Sequence, residues 1–135
     1  MKVQYVPTEL TAQSWPQVEK FIDAAIEHSH GDYTLEQVKV FVCMGQWLLV
    51  VATDENNQVK GAATVSFINM PNDRVAYITT IGGRLVANEE TFSQLCGVLK
   101  HRGATKIQGL GRPAIVRLWS RLGFEPVSTL VEYKL

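Results

Sequence analysis

The chain has little with which to bind by charge alone. Its 13 basic and 13 acidic side chains cancel, so no overall field draws it to nucleic acid or to an anionic membrane. Cysteine is scarce: Cys43 and Cys96 are the only two, and both fall inside apolar helical patterns with no ligand spacing around them. That argues against a disulfide framework and for buried thiols in a reducing, intracellular setting. No apolar run approaches membrane-spanning length, and the first residues lack the apolar stretch of a secretory leader. Internal repeats, low-complexity tracts and linker-like segments are missing too. What remains is a chain of 135 residues, 46% of them apolar. It is expected to form one domain over 1–135, with a core that needs neither metal nor disulfide.

The balanced charge is unevenly spread. Residues 1–82 carry five basic and nine acidic side chains, a net of −4, and residues 83–135 carry eight basic and four acidic, a net of +4. The basic half suits an anionic ligand; two surfaces meeting would explain the asymmetry equally well.

The hydrophobic periodicity gives an order of elements. Lys2–Val6 alternates and stops before Pro7, as a strand does. Ser14 is expected to cap a helix starting at Trp15 and Pro16 and running through Val18, Phe21, Ile22, Ala25 and Ile26. Thr34 and Gln37 have capping-box spacing before a second helix, which Gly45 stops. Trp47–Thr53 and Val59–Asn69, separated by the polar tract DENNQ, read as a hairpin, and Arg74–Gly83 adds a third strand after the turn MPND. Its terminal glycines, Gly82 and Gly83, suggest a kink or a close backbone approach. Asn88 can cap a helix through Phe92, Leu95, Val98 and Leu99, whose end carries Lys100 and Arg102. A short strand TKIQGL, a helix RPAIVRLWSRLG and a β-rich tail FEPVSTLVEYKL follow. The order β-α-α-β-β-β-α-β-α-β implies a mixed α/β fold, a central sheet with helices on its faces.

In that order, and in the stretch GRPAIVRLWSRLGFEPV, the chain resembles the GCN5-related N-acetyltransferase (GNAT) superfamily over nearly its whole length. Ala114, Leu118, Leu122, Gly123 and Phe124 match the family's penultimate helix and the strand after it. GAATV after the hairpin resembles its third strand, and GATKIQGLG its helix-to-strand turn. The resemblance implies a GNAT-like fold, acetyl-CoA as cofactor and an amine, on a small molecule or a protein, as acceptor. It also implies that backbone N–H groups on the fourth strand hold the thioester oxygen, at Ile81 and Gly82 by matching position. A glycine-bearing loop after that strand then cradles the cofactor's pyrophosphate at a helix start.

Two parts of the family pattern are altered. Gly82 and Gly83 sit at the strand end, but the helix opening ANEETF has no glycine and brings Glu89 and Glu90 to the place where an anion would dock. Those carboxylates suit the helix dipole, by about 0.3–1 kcal/mol each, and would repel a pyrophosphate. Gly83, Arg84 and Asn88 are the residues left to meet it. On the penultimate helix, Trp119 stands where the family often has the tyrosine that protonates the departing thiolate, and Gly111 where it has asparagine. An indole donates a hydrogen bond but is no usable acid, so Trp119 is expected as core or as wall of the cofactor pocket. Tyr77, on the fourth strand, and Tyr33 are the candidate substitutes for the missing acid.

Other candidates have plainer readings. Arg112, Arg117 and Arg121 are expected on the wet face of the last helix. His28 and His30, with Glu27 and Asp32, lie between the first two helices, where the resemblance puts the acceptor site; nothing else in the chain completes a metal ligand set, so no metal is expected.

Three functions stay open. One is an acetyl-CoA-dependent N-acetyltransferase with an atypical phosphate loop. The second is a catalytically degenerate binding or assembly module; the eroded loop is similar to that of small GNAT-like proteins of tailed phages, which would imply a virion partner and a place in the host cytoplasm or the virion. The third is a CoA-binding regulator without turnover. A homodimer is compatible with the uneven charge and the terminal strand, and the short tail leaves room for a final strand supplied by a partner.

Overall fold

A computed structural model describes residues 1–29, 31–86 and 88–135. Five strands form one sheet in the order β1-β2-β3-β4-β5: β1 Lys2–Val6, β2 Leu48–Thr53, β3 Val59–Asn69, β4 Arg74–Gly83 and β5 Lys106–Gly109. The first four pair antiparallel, β2, β3 and β4 as a meander with short turns and β1 with β2 across an intervening pair of helices, and β5 pairs parallel to β4 after a helical crossover. The mixed sheet flanked by helices is the architecture expected from the sequence.

Strand alternation splits the core into two layers. Val50, Ala52, Ala63, Val65 and Ala76 turn to one face, where helix α3 (Glu89–His101) packs Leu95 and Leu99 against them. Leu49, Val51 and Ala62 turn to the other, under α1 (Thr11–Ile26) and α2 (Leu35–Cys43), which bury Trp15, Val18, Ile22, Val38 and Val42. Cys43 and Cys96 are free thiols, half-buried in separate helices. No helix among the described residues is long and apolar enough to cross a membrane.

The caps follow the sequence in two of three places. Thr34 and Gln37 close a reciprocal capping box on α2, with bonds of 2.9 and 3.2 Å. The Asn88 side chain accepts from the Thr91 N–H at 2.9 Å at the start of α3. Ser14, however, caps nothing: a 3₁₀ turn over Thr8–Leu10 leads into α1, which begins at Thr11, and Pro16 lies a full turn inside. The buried Thr11 hydroxyl donates to the Thr8 carbonyl at 2.8 Å, so this entry turn is held by a residue the sequence pattern passes over.

The second correction is the tail. Helix α4 (Pro113–Ser120) forms, but residues 124–135, expected to be β-rich, form no strand. Phe124 rests against Trp119 and Phe92, with ring centroids 5.3 and 5.4 Å away, and the segment beyond it leaves the sheet.

Candidate functional site

The site is the place where β4 and β5 part. The two strands pair only from Val75–Lys106 to Ile78–Gly109, while β4 runs on to Gly83. Residues 79–83 therefore have β3 on one side and, among the described residues, no strand on the other. Trp119 is packed at the apex of this opening: its indole lies against Gly109, the last residue of the β4–β5 ladder, and it is only 6% exposed.

A β-bulge aims the open edge. Thr64 pairs with Thr80 but Val65 with Ile78, so Thr79 is the extra residue on β4. The Thr64 hydroxyl bridges to both Thr79 and Thr80 hydroxyls, at 2.7 and 2.6 Å, and the Thr79 hydroxyl also reaches the Thr64 carbonyl. These threonines escape a reading by motif; their signal is the Thr-Thr doublet that interrupts the alternation of β4.

Beyond the bulge the ladder fixes where each N–H points. The Arg84 N–H donates to the Lys60 carbonyl at 2.9 Å, which makes Gly61–Gly83 a non-hydrogen-bonded pair. By alternation Ala62–Gly82 is hydrogen-bonded and Ala63–Ile81 is not. The Gly82 N–H thus faces β3, and the Ile81 N–H faces the opening. Of the two candidates matched to the thioester-holding position, Ile81 is the one whose N–H points into the opening.

The terminal glycines are accounted for by the protein's own backbone. A Cβ on Gly82 would come 2.4 Å from the Phe21 carbonyl oxygen of α1. One on Gly83, whose φ is +72°, would come 2.4 Å from the Lys60 carbonyl oxygen. The loop after β4 folds back over Gly61, where a Cβ would lie 2.8 Å from the nitrogens of Arg84 and Leu85, and Leu85 is fully buried. The close approach is therefore α1 and β3 against β4. The Arg84 side chain is exposed.

At the start of α3 the Thr91 N–H is taken by Asn88, and the Phe92 N–H by the Asn88 carbonyl. The first two helical residues are Glu89 and Glu90, both exposed. The open edge suits an acyl carbonyl. For a diphosphate the described loop and helix start offer the Arg84 side chain and the N–H groups of Glu89 and Glu90, beside two carboxylates.

Tyr33 and Tyr77 come together on the α1–α2 face. Burial pushes the Tyr77 phenol above its ordinary pKa of 10.0, and the charges of Tyr33 and Asp32 push it further. Burial, then Asp32, does the same for Tyr33. Both phenols hold their protons at neutral pH and are donors there. Tyr33 meets Trp47 edge-on at 5.0 Å, and Trp47 stacks on Phe41 at 4.5 Å, so the first tyrosine is held by an aromatic wall. His28 is exposed, and His30 lies outside the described residues. Among the described residues no cluster of His, Cys, Asp or Glu could hold a metal ion.

No protein-family model matches this sequence, and no curated protein matches it by sequence. Solved structures do match its shape. A probable acetyltransferase superposes with a TM-score of 0.70 at 12% identity, covering 100% of this chain and 97% of that one. An aminoglycoside acetyltransferase from an uncultured soil metagenomic sample, in complex with sisomicin, gives 0.70 at 11% identity, with 99% and 94% covered. A predicted acetyltransferase from Clostridium acetobutylicum, with acetyl-CoA, gives 0.65 at 16% identity, with 98% and 95% covered. The five-stranded mixed sheet, parted between its fourth and fifth strands and flanked by helices, has the fold of the GNAT acetyltransferases.

Proposed function

We propose that this chain is a GNAT-type N-acetyltransferase that takes its acyl group from acetyl-CoA and passes it to an amine, which is bound as ammonium, gives up a proton to water and attacks as the free base while the CoA thiolate leaves and takes a proton from a phenol. The observation that carries the reading is the open edge of β4, with the Ile81 N–H directed into the gap and the bulge at Thr79 holding it there. Bound acetyl-CoA would supply the activated acetyl group. The chain's own part is to orient the acyl oxygen at Ile81, to present protonated phenols at Tyr33 and Tyr77 on the α1–α2 face, and to seat the acceptor. Asp32, two tyrosines and Trp47 suit an ammonium group, as does the −4 charge of residues 1–82. Structures of the same fold holding acetyl-CoA and sisomicin support this choice of ligands.

A second reading rests on a separate observation. The Arg84 and Thr91 N–H groups are spent inside the protein, and Glu89 and Glu90 stand at the helix start. Such a loop favours a binding or assembly module that has kept the shape and given up turnover, with a partner chain or a virion component in place of a substrate. Millimolar acetyl-CoA separates the two. The enzyme gains thermal stability with it, by mass action, and acetylates at least one polyamine in a panel. A module shows neither effect, and that result would overturn the first reading.

A further inference from the structure

A cavity of about 290 Å³ lies at the end of the sheet away from the β4–β5 opening. The strand register puts Val6, Leu48, Phe67 and Arg74 towards one end of the sheet, and Gly82 and Gly83 at the other. Arg74 and Ile81 are seven residues apart along β4, roughly 20 Å at the rise of a strand. Val6, Val42, Leu48 and Phe67 give the cavity apolar walls. Arg74 and Arg102 line it as well, with Thr8 and Gln46. Among the described residues no acidic side chain does.

Each guanidinium stands over an aromatic ring. Arg74 Cζ lies 4.5 Å from the centre of Phe67, and Arg102 Cζ lies 4.4 Å from that of Tyr5. Such a ring holds the cation in place and leaves its N–H edge free to donate. Arg74 is fixed further, because its Nε donates to the Arg102 carbonyl at 3.0 Å and its Nη1 to Asn69 Oδ1 at 2.9 Å. Its Nη2 has no protein acceptor among the described residues, and neither has any N–H of the Arg102 side chain. Asp73, beside Arg74 in sequence, is engaged by Lys106 at 3.0 Å and by the Thr105 hydroxyl at 2.9 Å. The helix ends nearby do not compete for these donors. Backbone N–H groups take the carbonyls of Val40, Phe41 and Val42 at the end of α2, and those of Leu99 and Lys100 at the end of α3.

We propose that this cavity is a second binding site, for a small organic acid whose carboxylate meets Arg74 and Arg102 and whose apolar body lies against Val6, Val42, Leu48 and Phe67. Two cations with no acid beside them gain from an anion. The paired N–H groups of a guanidinium edge match the two oxygens of a carboxylate. The Thr8 hydroxyl and the Gln46 amide offer further donors. The volume is at the small end of ligand pockets, which run from about 300 to 1,000 Å³, so it suits a single ring or short chain and not a nucleotide. An inorganic anion would leave the apolar walls uncovered. The site is separate from the acyl opening and stands whether or not the protein transfers acetyl groups.

The test titrates benzoate into the full chain and follows the Nε–H resonances of Arg74 and Arg102 and the backbone amide of Ile81. The site predicts saturable shifts at both arginines in the millimolar range, with Ile81 unmoved. Arg102→Gln, at an exposed side chain with no protein partner among the described residues, should weaken benzoate at least tenfold while helix content stays the same. Arg117→Gln removes the same charge from α4, outside the cavity lining, and should change the affinity less than twofold. Phosphate should bind more weakly than benzoate. No saturable shift up to tens of millimolar would overturn the proposal, as would equal effects of the two variants. Phosphate binding as tightly as benzoate would reduce the site to a general anion patch, and a shift at Ile81 without one at the arginines would put the probe in the acyl opening; either result also overturns it.

Discussion

The Trp119 indole lies on Gly109: a Cβ at position 109 would sit 3.2 Å from Cζ3 and 3.4 Å from Cη2 of the ring, with Ile78 just behind at 3.7 Å. The large side chain at the next-to-last position of α4 thus closes the apex where β4 and β5 separate, and joins α4 to Phe124 and, through it, to Phe92 of α3. It is a packing residue at the apex of the opening. Trp119→Ala should cost about 3–5 kcal/mol of stability, the range for emptying an aromatic site in a core, read as a lowered urea midpoint. Trp119→Tyr should keep more of it, and a tyrosine there restores the residue usual in the resembled family.

Gly82 and Gly83 are predicted to act through packing. Gly82→Ala drives a methyl into the Phe21 carbonyl, so α1 must lift from β4, and overpacking of this kind costs about 1–3 kcal/mol or more. Gly83→Ala adds a left-handed φ to a contact with the Lys60 carbonyl. Both variants should melt lower with no ligand present, which separates this role from one in cofactor binding alone.

How much of this was legible beforehand depends on what each residue answers to. The bounds of β3 and β4 follow from apolar runs closed by DENNQ and MPND, and the observed strands match them at Val59–Asn69 and Arg74–Gly83. The capping box at Thr34 is a local device and reads locally. Ser14 misleads because Pro16, usually the mark of a first helical turn, lies further inside α1, where it cannot donate an i→i−4 hydrogen bond. The glycines announce a close approach but not its partner, since Phe21 is some 60 residues away in sequence. The bulge at Thr79 depends on pairing with β3, which no single strand encodes. The tail has the composition of a strand, but a strand also needs an edge to join.

The paired phenols give a pH dependence with a definite sign. Tyr33 and Tyr77 titrate above 10.0 in the folded chain. Above about pH 10 the unfolded chain has lost protons that the folded chain still holds, so stability is full below that pH and falls as pH rises beyond it. Urea midpoints from pH 9 upward should fall less steeply in the Tyr33→Phe, Tyr77→Phe double variant than in the parent, with pH read to about 11. If both phenols also serve as donors during transfer, the same double variant should lose about 100-fold or more in kcat at neutral pH while remaining folded.

The charges at the start of α3 should set the hold on cofactor. Glu89→Gln with Glu90→Gln removes two carboxylates from beside the remaining N–H groups and Arg84. Each is worth about 0.3–1 kcal/mol in such a setting, so the pair should tighten acetyl-CoA by roughly threefold to thirtyfold at low salt, and less at high salt. Calorimetric titration of parent and variant at two salt concentrations reads the effect. No change at either would mean that the diphosphate docks elsewhere.

The most direct measurement is the backbone amide resonance of Ile81 during titration with acetyl-CoA and, separately, with CoA lacking the acetyl group. If the acyl oxygen sits on the free edge of β4, the Ile81 N–H moves downfield and saturates with acetyl-CoA, moves much less with CoA, and the Gly82 N–H stays near its starting position in both. An Ile81 resonance indifferent to saturating acetyl-CoA, or one that responds equally to both ligands, would contradict the account.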